Sequence, residues 1–170
     1  MPTDIAQRVV RWHPIVLTGV LLAGLIAQLS VSDLAVRPLA KGVLMLTPVG
    51  PMCLWLWAVF SVASRASPTV ISGSWDWVFA LPPAIAVSAG LAGWSTHNSL
   101  AASAVFLSLF VALSLSAKTL ENVDAVSGNA SVGRLLATAL LMYLAPIGMW
   151  VLHAKILRVA ARSRGTPLSG

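Results

Sequence analysis

Apolar positions along this chain come in long unbroken runs separated by short polar stretches. They show neither the alternation of a half-buried strand nor the single stripe of a surface helix. Five runs stand out, at 14–31, 42–63, 75–94, 99–117 and 133–159. Each approaches or exceeds the roughly 20 residues that carry a helix across about 30 Å of hydrocarbon. Lipid offers backbone groups no water to bond, so such runs are predicted to be helices, and their continuity argues against barrel strands. The expectation is an all-α, polytopic membrane helix bundle of five transmembrane helices, with four crossings as the alternative. A single transmembrane domain over residues 1–170 accommodates it.

Prolines mark where these helices should bend. Pro48 with Gly50, the pair Pro82-Pro83, and Pro146 with Gly148 are the expected kinks, since proline removes a donor and clashes with the carbonyl four residues earlier. The third run is the interrupted one. Trp75 and Trp77 at one end and Trp94 at the other resemble aromatic anchors at two interfaces, so it reads as a kinked crossing, with a re-entrant segment as the alternative. The first run follows Arg8 and Arg11 and reads as a signal-anchor, because four further apolar runs succeed it.

Small residues at four-residue steps predict close helix contacts, since packing and not hydrophobicity joins helices in lipid. Gly19, Ala23 and Ala27 form one such row, and Ala104, Ser108, Ala112 and Ser116 a longer one. In the third run Ala86 pairs with Gly90, and Ala89 with Gly93. Thr47-Pro48-Val49-Gly50 also echoes Ala145-Pro146-Ile147-Gly148, which fits either an inverted repeat of the transporter kind or two unrelated proline kinks.

Composition narrows the class. Hydrophobic residues make up 58% of the chain and charged ones 9%, with a mean hydropathy of +0.87. A water-soluble enzyme, a disordered tail and a disulfide-rich secreted module are excluded. The net charge of +6 sits at the ends of apolar runs, a placement suited to headgroups and topology and not to a nucleic acid backbone. The expected partners are the lipid bilayer and either a homo-oligomer or another membrane protein, with no nucleic acid. Five crossings would put the termini on opposite sides. Lys and Arg then divide five against six, and the basic C-terminus leans the tie towards a cytoplasmic C-terminus. If the third run does not cross, the termini share a side and the division becomes seven against four. Cys53 lies within an apolar run and reads as a small buried hydrophobe.

The chemistry-bearing residues are few. All sixteen formal charges lie in loops or near the ends of runs, where an intramembrane charge would mark an ion or proton path. His13, His97 and His153 are scattered and lack companions at metal-ligand spacing. The Asn129-Ala130-Ser131 sequon is too short to carry weight. No catalytic, cofactor-binding or metal residue is assigned, and no cofactor is expected. One constellation remains. Lys118, Glu121 and Asp124 recur at three-residue steps where the fourth run ends, so a continuing helix groups them and lets Lys118 pair with Glu121. His153 or Lys155 from the fifth run would complete a polar interface site.

Around these residues the chain resembles a family of uncharacterised bacterial multi-pass inner-membrane proteins. The resemblance rests on Ala117-Lys118-Thr119-Leu120 with Asp124 following, and on Pro146-Ile147-Gly148-Met149-Trp150 with Lys155 shortly after. Leu54-Trp55-Leu56-Trp57-Ala58-Val59 and His97 match more loosely. It implies a multi-pass protein of the bacterial inner membrane and brings no activity. The leading expectation is a non-enzymatic accessory or interaction subunit. A small oligomeric transporter- or channel-like protein is the alternative, and a lipid-headgroup enzyme the third reading.

Overall fold

Proline opens most of the helices of this protein. The computed structural model describes residues 2–31, 38–66, 73–92, 99–125 and 131–165, and every element among them is helical. In order these are α1 (Pro2–Arg11), α2 (Pro14–Val31), α3 (Pro38–Ala66), a 3-10 segment (Gly73–Ala80), α4 (Leu81–Leu91), α5 (Ser99–Asp124), α6 (Val132–Tyr143) and α7 (Ala145–Gly165). Pro2, Pro14 and Pro38 occupy first positions, and Pro82 and Pro146 second ones, where a helix leaves N–H groups unbonded and proline costs nothing.

That placement corrects two of the three expected kinks. Pro82 and Pro83 bend no helix: the chain arrives as a 3-10 segment and α4 starts at them. Pro146 and Gly148 lie in the first turn of α7, after a complete break at Leu144. At Pro48 and Gly50 the chain stays helical, α3 continuing through Pro48 and through Pro51. Proline at 48 deprives the Leu44 carbonyl of its usual donor. The Thr47 hydroxyl replaces that donor at 2.7 Å, and the helix survives. The echo between 47–50 and 145–148 therefore joins a helix interior to a helix start, and the two segments are not structural equivalents.

α3 is the central element, packed by α1, α2, α4, α5 and α7. α3 and α5 are long and apolar enough to cross a membrane, over Gly42–Ala66 and Leu100–Asp124. α2 reaches that standard only together with α1, to which it is bent by 90°. The expected five-helix count is not reproduced: two helices qualify, or three with the bent pair. The third run ends in a shorter apolar helix, Trp75–Leu91. It runs antiparallel to α3, with Gly42 facing Val87 and Leu91 at one end and Phe60 against Phe79 at the other. Gly93, Trp94 and His97 lie outside the described residues.

The fifth run departs most from expectation. Thr138 and Lys155 both bond the Glu121 carboxylate, whereas a straight helix would hold them roughly 25 Å apart. The chain reverses at Leu144, and α6 and α7 form an antiparallel hairpin. The reversal is tight enough that a Cβ on Gly148 would lie 1.8 Å from the Leu141 carbonyl oxygen. Only glycine fits there.

Of the small-residue rows, the one on α5 is seen. Ala112 and Ser116 are fully buried, Ala104 and Ser108 half-buried, and the Ser116 hydroxyl donates to the Leu56 carbonyl of α3 at 3.1 Å. Ala86, Ala89 and Gly90 are buried on α4. On α2 the row fails, because Gly19 and Ala23 face outwards and a Cβ on Gly19 would meet nothing within 4 Å. The contact is made by Gly24, where a Cβ would lie 2.8 Å from the Thr47 carbonyl oxygen of α3. That carbonyl also loses its helical donor, to Pro51, so the α2–α3 crossing seats a glycine over a backbone group left bare by proline.

α1 is a helix that the apolar runs do not announce. Ala6, Val9 and Val10 join the core formed by the later half of α3, α5 and α7, while Asp4, Arg8 and Arg11 face outwards. This two-faced helix caps one end of the bundle.

Candidate functional site

Three helices deliver charged side chains to the base of the hairpin. Glu121, on the last turns of α5, is 2% exposed. Its Oε1 accepts hydrogen bonds from the Thr138 hydroxyl of α6 and the Lys155 ammonium of α7. Its Oε2 accepts no hydrogen bond and is held by charge, with Arg134 Nε at 3.3 Å. Asp124, one turn on, meets Arg134 Nη2 and Lys155 Nζ, each at 3.3 Å. Two carboxylates and two cations make the cluster neutral, the condition for burying ions without prohibitive desolvation. Arg134 is the outer member at 52% exposed, and Lys155 and Asp124 are each 14% exposed.

Local sequence prepares these positions. Ser131 precedes α6 in extended backbone, and its hydroxyl accepts from the Arg134 N–H at 3.4 Å, the ordinary role of an N-cap serine. This cap starts α6 beside the end of α5. Arg134 and Thr138 are four residues apart, so they share the face turned towards α5. Beyond the cluster, Arg162 of α7 donates to the Val123 carbonyl at 3.1 Å, covering one of the bare carbonyls at the C-terminus of α5.

Of the residues grouped by sequence spacing, the structure assembles Glu121 and Asp124 and leaves Lys118 and His153 out. Lys118 is exposed, and no ion pair joins it to Glu121 among the described residues. The two residues are neighbours along the helix surface, but Glu121 points inward to α6 and α7. Of the two candidates on α7, Lys155 enters the site. His153 cannot, because two residues around a helix is about 200°. Its ring lies 6.4 Å from that of His13, which stands edge-on to Trp150 at 5.4 Å. His13 Nδ1 also accepts the Ile15 N–H at 3.3 Å. This aromatic group seats the α1–α2 elbow against α7.

Arg134 and Thr138 are members that sequence reasoning did not assign to the site. Their four-residue spacing was a signal, given meaning by the packing of α6 on the end of α5. Among the described residues no group of three or more His, Cys, Asp or Glu is placed to hold a metal ion. Chemically, the arrangement fastens both limbs of the hairpin to α5, and Glu121 is too fully engaged to act as a free base. No family model, curated protein or solved structure matches the chain.

Proposed function

We propose that this chain is an integral protein of the bacterial inner membrane with four crossings and a re-entrant hairpin, serving as a non-enzymatic accessory or interaction subunit. The crossings are α2, α3, the 3-10 segment with α4, and α5. A 3-10 helix rises about 2 Å per residue and an α-helix about 1.5 Å. The third run therefore reaches roughly 32 Å, enough for the hydrocarbon layer, although it is short in residues. α6 penetrates only about 18 Å before the chain turns back.

This topology supports its own orientation. With both termini on one side, nine of the eleven Lys and Arg residues share that side, and only Arg37 and Lys41 oppose them. The near-even division of the five-crossing scheme becomes a strong bias towards a cytoplasmic location for both ends. Reporter fusions at Met1 and Gly170 test it: both are expected in the cytoplasm, and opposite compartments would restore five crossings.

One observation carries the functional part. The buried carboxylate that would be the natural candidate for proton or substrate chemistry, Glu121, is consumed by Thr138, Arg134 and Lys155 of its own chain. The cluster is a fastening. The expected result in native membrane patches extracted with copolymer is a stoichiometric assembly with another membrane protein. A chain that instead moves solute on its own in proteoliposomes would overturn the proposal in favour of the second reading, an oligomeric transporter- or channel-like protein. That reading draws on the break at Leu144, which puts bare carbonyls deep in the apolar layer, as broken transporter helices do.

A further inference from the structure

We propose that the end of the bundle formed by α1 and the later half of α7 binds the phosphate headgroups of anionic phospholipids, with Arg11 and Arg158 as its contacts. α1 lies at 90° to α2, and so along the bilayer surface if α2 crosses. It buries Ala6, Val9 and Val10 against the bundle and turns Ile5, Arg8 and Arg11 outwards, with exposed Trp12 directly after it. Apolar and aromatic side chains beside arginines at that level are what a headgroup region accommodates.

Charge supplies the selectivity. Of the acids at this end, Glu121 and Asp124 are already neutralised by Arg134 and Lys155, while Asp4 faces outwards in the first turn of α1, about 10 Å along the helix from Arg11. Arg8, Arg11 and Arg158 are outward-facing and form no ion pair among the described residues. The His13–Trp150–His153 contact brings the two helices together. Arg11 lies two residues before that elbow, and Arg158 about 7.5 Å along α7 beyond it and about 140° around the helix from His153, so the two arginines offer separate contacts at one level of the bundle. Each guanidinium fork suits a phosphodiester, which it can bind through paired N–H groups. A zwitterionic headgroup brings its own cation and offers less.

The inference deepens the membrane reading above and rests on it. The test is thermal unfolding of the purified full chain in detergent micelles containing added phosphatidylcholine, phosphatidylglycerol or inorganic phosphate. Phosphatidylglycerol should raise Tm by several degrees more than phosphatidylcholine, and inorganic phosphate should leave Tm unchanged. The double variant Arg11→Ala/Arg158→Ala should lose that difference while matching the parent in phosphatidylcholine. Lys118→Ala, an exposed cation on another helix, should keep it. Equal gains from both lipids, a gain retained by the double variant, or the same loss in Lys118→Ala would each overturn the proposal. A gain reproduced by inorganic phosphate would reassign the site to free phosphate and overturn the lipid assignment. Misplaced reporter fusions would undo the membrane topology, whereas a correctly inserted protein indifferent to phosphatidylglycerol would sink this inference alone.

Discussion

Replacing Glu121 by glutamine keeps the shape of the side chain and removes one charge from a neutral cluster of four. The amide oxygen can still accept from Thr138, so the change isolates charge from packing. Removing one partner from a buried pair costs about 3–5 kcal/mol, because the other charge is left in a poor dielectric. Two features of this site reduce that figure. Lys155 retains Asp124 at 3.3 Å, and Arg134 is 52% exposed and can turn to solvent or headgroups. A loss of about 2 kcal/mol follows, which for a chain of this size lowers Tm by about 4–8 °C. Thermal unfolding in detergent, followed by tryptophan fluorescence, measures it. The decisive comparison adds Lys155→Met. A paired charge swapped for apolar packing is close to neutral, so the double variant should be more stable than the sum of the single losses implies. Strict additivity, or a Glu121→Gln protein that melts like the parent, would refute the claim that this cluster fastens the hairpin.

Gly148→Ala should be among the most damaging single-atom additions to the chain, since the new Cβ would lie 1.8 Å from the Leu141 carbonyl oxygen. Gly19→Ala, with nothing within 4 Å, should leave Tm within about 2 °C of the parent, while Pro146→Ala should fold and insert. Ala112→Leu should open the α3–α5 seam and cost about 1–3 kcal/mol by overpacking, read as a lower Tm. Its control is Leu107→Ala, at an outward-facing position 68% exposed. Equal losses at 107 and 112 would mean that the row of small residues is compositional.

The helical class was legible without coordinates, because continuous apolar runs leave the backbone only itself to bond with. The start of the second helix at Pro14, the first residue of its apolar run, was legible too, and so was the seam at Ala112 and Ser116. These are local properties: hydropathy and proline geometry act within a few residues, and a four-residue step needs only helical periodicity. Glu121 and Asp124 could be grouped for the same reason, since they lie one turn apart on one helix.

What the sequence left open was decided by contacts between distant segments. Pro48 and Pro146 look alike in sequence, yet one is absorbed into α3 by the Thr47 hydroxyl and the other follows a reversal of the chain. The difference depends on whether a donor is at hand to replace the missing N–H, and on whether a glycine allows two backbone segments to touch. The choice of Lys155 over His153 and of Gly24 over Gly19 was fixed in the same way, by which face of a helix meets its neighbour. The roles of Arg134 and Thr138 became visible only in the packing of α6 on α5, and that of Lys155 only through the reversal at Leu144. It brings residues 17 positions apart onto one carboxylate, and turns the fifth apolar run into a hairpin fastened at its base.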